Sequence, residues 1–142
     1  MALENVVSGA GARQPTVLYA EDNEINVLLV RQILELRPAW RLEVARSGAE
    51  TLALMKRLQP DLLLMDMHLG DMSGFELMDL LDQDEAARGV TKVALSADAM
   101  PGHIAQARAR GFSDYLTKPL DVVGLLQCLD GYLSTDKLNP AG

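Results

Sequence analysis

Asp61-Leu62-Leu63-Leu64-Met65-Asp66 decides the fold. An unbroken apolar run lies between two carboxylates. Such a run reads as a strand buried on both faces, although periodicity alone also fits a segment of buried helix. Its length favours the strand, as does the turn-rich Gly70-Asp71-Met72-Ser73-Gly74 that follows. Asp66 then stands where the strand leaves the core. A lone acid there can also mark only the end of burial, so the flanking segments must decide.

Upstream, Thr16-Val17-Leu18-Tyr19-Ala20 reads as a first strand that ends in Glu21-Asp22-Asn23. The next helix carries Ile25, Leu28, Leu29, Ile33 and Leu36 on one face, widened by Val27, Val30 and Leu34, and Pro38 ends it. This stripe predicts a helix sunk in the core rather than a partner-binding face. Leu42 and Val44 alternate with polar residues in a short second strand. Ser47-Gly48-Ala49-Glu50 is a capping box opening a second helix that runs to about Leu58, before Pro60.

Downstream, Ser73-Gly74-Phe75-Glu76 is another capping box. Its helix turns Phe75, Leu77, Met78 and Leu81 inward. Lys92-Val93-Ala94-Leu95 is a fourth strand ending at Ser96. Pro101 fits the first turn of a fourth helix, which runs to about Arg110 and stops at Gly111. Asp114-Tyr115-Leu116 is a short fifth strand leading into Thr117-Lys118-Pro119. The last helix starts near Asp121 and lines up Val122, Leu125, Leu126, Leu129 and Leu133.

Strands alternating with helices predict a single-domain α/β fold. It is an open, doubly wound parallel sheet of the flavodoxin-like kind, strand order 2-1-3-4-5. The domain spans residues 15–134, between a flexible N-terminal tail (1–14) and a C-terminal tail (135–142). Gly9 and Gly11 precede the first strand and lack a third glycine, so they form no dinucleotide loop.

A chain of 142 residues is long enough for one real core, and 49% apolar with 23% charged residues is ordinary for a soluble globular protein. A net charge of −7 argues against direct nucleic-acid binding. No segment is apolar enough for membrane insertion and no signal peptide is evident, so a cytoplasmic location is expected. Cys128, the single cysteine, cannot form an internal disulfide and reads as a packed free thiol. His68 reads as an exposed loop side chain, and His103, on a polar alanine-rich helix without a partner pattern, as a surface residue.

In such a sheet ligands bind beyond the carboxyl ends of the strands. The predicted strand ends bring Glu21, Asp22, Asp66, Ser96 and Lys118 to one rim. At about 5 Å and an effective dielectric near 20, each carboxylate pair costs about 3 kcal/mol. Either one acid protonates or a cation neutralises the cluster, and Lys118 supplies one charge only. A hard divalent cation suits an all-oxygen site, and Mg2+ keeps waters and accepts phosphate oxygens; zinc lacks its Cys/His ligands. A carboxylate beside Mg2+, a lysine and a hydroxyl is equipped to attack phosphorus and form an aspartyl phosphate.

With these residues in place the chain resembles the receiver domains of response regulators in two-component phosphorelays. The matching stretches are Val17-Leu18-Tyr19-Ala20-Glu21-Asp22-Asn23, Leu64-Met65-Asp66-Met67 through Met72-Ser73-Gly74, Ala94-Leu95-Ser96-Ala97, and Asp114-Tyr115-Leu116-Thr117-Lys118-Pro119. They cover about Pro15 to Leu133. Each is weak alone; all four in order are specific. The segments from Ala94 to Pro101 and Gly111 to Pro119 are most similar to receivers of hybrid histidine kinases.

The resemblance implies a role for each position. Asp66 is the expected phosphoacceptor. Glu21, Asp22, Asp66 and the backbone carbonyl of His68 are the expected Mg2+ ligands. Ser96 is expected to bind the phosphoryl group, and Lys118 to contact it through a loop with a cis peptide bond before Pro119. Ser96 and Tyr115 form the expected switch pair, acting on the face made by the fourth helix, fifth strand and fifth helix. The expected donor is a histidine kinase or a histidine phosphotransfer protein. The expected protein is no enzyme beyond its own phosphorylation and dephosphorylation. It is a monomer or weak phosphorylation-dependent dimer, either stand-alone or the receiver part of a hybrid histidine kinase.

Three departures retain the chemical groups. Glu21 replaces the commoner aspartate, and its longer arm favours a metal contact through water. Ser96 replaces threonine. Gly70 replaces proline, which predicts a more mobile loop after Asp66. By the same resemblance Asp98 and His68 are expected to flank attacking water and to tune phosphoryl lifetime. A haloacid-dehalogenase-type phosphatase would carry an aspartate where His68 stands, and the chain is short for a substrate cap. A binding-only pseudo-receiver would have lost one of the reactive groups, and all are present.

Overall fold

The computed structural model describes residues 14–133. The predicted tails lie outside these residues, apart from Gln14. In chain order the elements are β1 (Thr16–Ala20), α1 (Glu24–Leu34), β2 (Arg41–Ala45), α2 (Gly48–Leu58), β3 (Leu62–Asp66), α3 (Gly74–Leu81), β4 (Thr91–Ser96), α4 (Pro101–Ala109), β5 (Asp114–Thr117) and α5 (Val122–Leu133). A helical turn that sequence patterning missed, Glu85–Arg88, lies between α3 and β4. The sheet order is β2-β1-β3-β4-β5, with every pairing parallel. The expected flavodoxin-like topology is thus observed.

β3 is buried along its whole length. Its alternation divides the core. Leu63 and Met65 pack under α2, α3 and α4, with Leu54, Met55, Leu77, Met78 and Leu81. Leu62 and Leu64 pack under α1 and α5, with Val27, Val30, Leu125 and Leu129. Full burial of each leucine stabilises the fold by about 1.5–3 kcal/mol relative to exposure. β3 therefore cannot slip in register without moving both layers. Asp61 stands just outside it, where its carboxylate accepts the Thr16 N–H at 2.7 Å and helps align β3 with β1.

Three local expectations need correction. On α1 the buried residues are Val27, Val30, Ile33 and Leu34, whereas Ile25 is 77% exposed, Leu28 56%, Leu29 38% and Leu36 57%. The helix is apolar on more than one side, so periodicity alone could not set its rotation. Polar tethers help to set it: Asn26 Nδ2 donates to Glu21, and Arg37 makes a two-pronged ion pair with Asp130 of α5. On α5, Val122 is exposed, while Leu125, Leu126, Leu129 and Leu133 are buried. At α2 only half of the capping box forms. Ser47 Oγ accepts the Glu50 N–H, but the Glu50 carboxylate takes the Arg46 N–H rather than that of Ser47. The box at Ser73 and Glu76 is complete. His103 is a surface residue, as expected, and is paired with Asp98.

Lys92 is a buried cation that the sequence did not single out. Its Nζ donates to the carbonyls of Ala87 and Val90, at 2.6 and 2.9 Å, and ties the Glu85–Arg88 turn to β4. Burial lowers its pKa, partly offset by Asp82. Among the described residues no helix is long and apolar enough to cross a membrane.

Candidate functional site

Parallel strands all present their carboxyl ends to one rim, and the loops there carry the chemistry. β1 delivers Glu21 and Asp22, β3 ends on Asp66, β4 ends on Ser96, and β5 runs into Lys118. The structure brings the acids together: one carboxylate oxygen from each of Glu21, Asp22 and Asp66 lies within 4.8 Å of the others. Glu21 and Asp66 are buried, and Asp22 is exposed. Lys118 Nζ is 2.7 Å from Asp66 Oδ2 and 3.4 Å from Glu21 Oε1. The Lys118–Pro119 peptide bond is cis.

The electrostatics follow from crowding. Burial pushes the Glu21 pKa up and the neighbouring Asp66 pushes it further, against hydrogen bonds from the Asn23 N–H and Tyr19. Burial would lower the Lys118 pKa, but Asp66 and Glu21 together outweigh it and raise it. One ammonium therefore lies against two members of a three-acid cluster. The donor set is all oxygen, so the cluster suits a hard divalent cation rather than a thiolate-seeking metal.

Sequence reasoning missed the groups that fix Glu21. Tyr19 Oη donates to Glu21 Oε1 at 2.9 Å, the Asn23 N–H to Oε2 at 3.1 Å, and Asn26 Nδ2 to Oε1 at 3.3 Å. Strand alternation could have signalled Tyr19, since residues two apart on β1 share a face. Asn26 needed the rotation of α1, which the apolar pattern did not give.

Around Asp66, the His68 N–H donates to Oδ1 at 2.8 Å, and the His68 side chain is exposed, as expected. Asp66 thus has one oxygen held by a backbone amide and the other by Lys118. On β4, Ser96 is buried and its Oγ accepts the Asp98 N–H at 3.0 Å. Half-buried Tyr115 donates from its hydroxyl to the Asp98 carbonyl at 2.6 Å. Asp98 Oδ1 accepts the Met100 N–H, and its carboxylate pairs with His103. Ser96, Asp98 and Tyr115 line one small cavity of about 170 Å³, together with His68 and His103. Both histidines thus border the site.

Cys128 is half-buried and packs against the α1/α5 layer, with Sγ 3.5 Å from Asp114 Oδ2. Burial, then the Asp114 charge, raises its pKa to about 12, so it is an unreactive thiol.

A part-buried acid cluster at the β1/β3 rim, flanked by a lysine and a hydroxyl, has counterparts among known proteins. The family model of the response regulator receiver domain matches residues 17–130. The polar-differentiation response regulator DivK of Brucella ovis is 36% identical over 118 residues, covering 83% of this chain and 95% of that protein. The receiver domain of the Saccharomyces cerevisiae response regulator Ssk1, solved with the histidine phosphotransfer protein Ypd1, superposes with a TM-score of 0.78. It shares 26% identity, over 87% of this chain and 92% of that one. A sensor histidine kinase receiver from Pseudomonas aeruginosa, with magnesium coordinated in its active site cleft, gives a TM-score of 0.74. It shares 26% identity, over 83% of this chain and 96% of that one. The chain belongs to the response regulator receiver family and is a signalling module of two-component phosphorelays.

Proposed function

We propose that the module takes a phosphoryl group from a phosphohistidine onto Asp66, with Mg2+ held by Glu21, Asp22, Asp66 and the His68 carbonyl. The observation that carries this reading is the contact of Lys118 with Asp66 inside the Glu21/Asp22/Asp66 cluster. The cation, when bound, offsets the negative charge of the cluster and of the incoming phosphoryl oxygens. An Asp66 carboxylate oxygen attacks phosphorus in line. The new P–O bond forms as the P–N bond breaks, and its electron pair returns to the donor imidazole. Lys118 faces the equatorial oxygens as their charge grows. This is stoichiometric acceptance, not turnover of a small substrate. The basic test is mass spectrometry of the intact chain after acetyl phosphate, with and without Mg2+. A labile gain of one phosphoryl group that requires the metal is expected; stable multiple turnover of a phosphomonoester would sink the reading.

Ser96 and Tyr115 are the proposed switch. Both bond Asp98, one through its N–H and one through its carbonyl, so a turn of Ser96 toward a phosphoryl group disturbs the partner of Tyr115. The change would spread over the face built by α4, β5 and α5. Phosphorylation is expected to move the amide resonances of residues 97 to 121 in NMR spectra. Unchanged resonances there would refute the switch.

The donor is a histidine kinase or histidine phosphotransfer protein, which has to bring an imidazole to the Asp66 rim. The exposed apolar residues Ile25, Leu28 and Leu29 lie on α1, directly after the acidic loop, and the exposed Val122 and Val123 open α5, shortly after Lys118 in the chain. Apolar surface beside the rim fits a helical donor face. Leu28→Asp is expected to slow transfer from a phosphorylated phosphotransfer protein by roughly tenfold or more, as for loss of an interface anchor. Uptake from acetyl phosphate should stay at the wild-type rate. Equal slowing of both would place Leu28 in the fold rather than in docking.

A further inference from the structure

Gly70 predicted a mobile loop between β3 and α3, yet the loop is held from outside itself. Asp71 reaches across to the first turn of α2: its Oδ1 accepts the Gly48 N–H at 2.7 Å and its Oδ2 the Ala49 N–H at 3.0 Å. These are amides that a helix cannot satisfy internally. Ser47 Oγ takes the next one, from Glu50. Beside this clamp, Met72 fills the space over Gly48 so tightly that a Cβ there would come within 2.4 Å of the Met72 side chain. The loop also closes on itself, through Leu69 N–H to the Met72 carbonyl and Gly74 N–H to the Met67 carbonyl. Those bonds set its shape, whereas Asp71 sets its position against α2. The held segment contains His68, whose N–H bonds Asp66, and it passes Asp22 closely: a Cβ on Gly70 would stand 3.4 Å from Asp22 Oδ2.

We propose that Asp71 is a positioning residue for the metal site. It replaces stiffness in the backbone with a two-pronged tether to α2, and so holds the His68 carbonyl and the Gly70 backbone in place beside Asp22 and Asp66. The proposal rests on the Mg2+ and phosphoryl-acceptor reading above. Asp71 is exposed and touches none of the acids of the cluster, so sequence spacing alone assigns it no role. The two amide bonds hold its carboxyl below the usual carboxylate range, so the tether favours the charged form.

The test is Mg2+ affinity by calorimetry, with amide hydrogen exchange of residues 67–73 measured without metal. Four full-length chains are compared: wild type, Asp71→Ala, Asp71→Asn and Ser47→Ala. Asp71→Ala should weaken Mg2+ binding roughly tenfold, the low end for loss of an outer support of a metal ligand, and should speed exchange in the loop. Asp71→Asn keeps one acceptor oxygen and should fall between. Ser47→Ala weakens the same helix end without freeing the loop, and should leave Mg2+ affinity unchanged. Wild-type affinity in Asp71→Ala would overturn the proposal, as would an equal loss in Ser47→Ala. A wild-type chain that binds Mg2+ but takes up no phosphoryl group would overturn the acceptor reading while the Asp71 result still stood on its own.

Discussion

Asp66→Asn is expected to take up no phosphoryl group from acetyl phosphate or from a phosphohistidine donor, a loss of at least about a hundredfold in rate. The substitution is nearly isosteric. Its amide oxygen can still accept the His68 N–H, so β3 keeps its burial and the chain keeps its fold. Chemistry is what disappears, because a neutral amide is a poor nucleophile toward phosphorus. The cluster also loses one of its three negative charges, so Mg2+ affinity should fall as well. Intact mass spectrometry reads the outcome directly, and circular dichroism checks the fold. Residual uptake would have to be mapped. Ser96 is the hydroxyl at the end of β4 on the same rim, and His68 carries an imidazole two residues beyond Asp66. A phosphate on Ser96 would survive mild base and hydroxylamine, whereas an aspartyl phosphate would not. Undiminished labile uptake by the variant would end the assignment of Asp66 as acceptor.

What could be foreseen depended on whether one strand end or two surfaces had to be known. The sheet followed from β3, because a fully apolar run admits only a central, doubly covered strand once strands and helices alternate. The rim followed too, since parallel strands share one carboxyl end, and this put Glu21, Asp22, Asp66, Ser96 and Lys118 at one edge of the sheet. The rotation of α1 did not follow. Its stripes Ile25/Leu28/Leu29/Leu36 and Val27/Val30/Ile33/Leu34 are both periodic, and polar tethers, one local (Asn26 to Glu21) and one distant in sequence (Arg37 to Asp130), help to choose between them. The reading of that helix as wholly sunk in the core hid its exposed apolar face. The supports of the site were hidden for a related reason. Asn26 acts through that rotation, and Asp71 acts across 23 residues on the end of another helix. His103 gave no pattern because its partner, Asp98, belongs to a loop rather than to its own helix face. Local chemistry shows in the order of residues; the contacts that aim it arise only when elements pack.

Lys118→Ala should separate metal binding from phosphoryl transfer. The ammonium lies 2.7 Å from Asp66 and 3.4 Å from Glu21, and it is the cation that the structure places against these acids. Its removal leaves the cluster more negative, so Mg2+ should bind several-fold more tightly, as Coulomb attraction at an intermediate dielectric requires. Phosphorylation at saturating Mg2+ should nevertheless slow by about 10²–10³, the usual cost of losing one fixed donor to developing transition-state charge. If the lysine merely neutralised the acids, a tightly bound dication would compensate for it, and the saturated rate would recover. If it faces the moving phosphoryl oxygens, no concentration of Mg2+ can take its place. Calorimetry and phosphorylation rates measured over a Mg2+ series give the two quantities separately. Tighter Mg2+ with a wild-type rate would reduce Lys118 to a counter-ion. Tighter Mg2+ with a slow rate would assign it to the chemical step, and explain why the fold commits the loop after β5 to aiming one side chain at the end of β3.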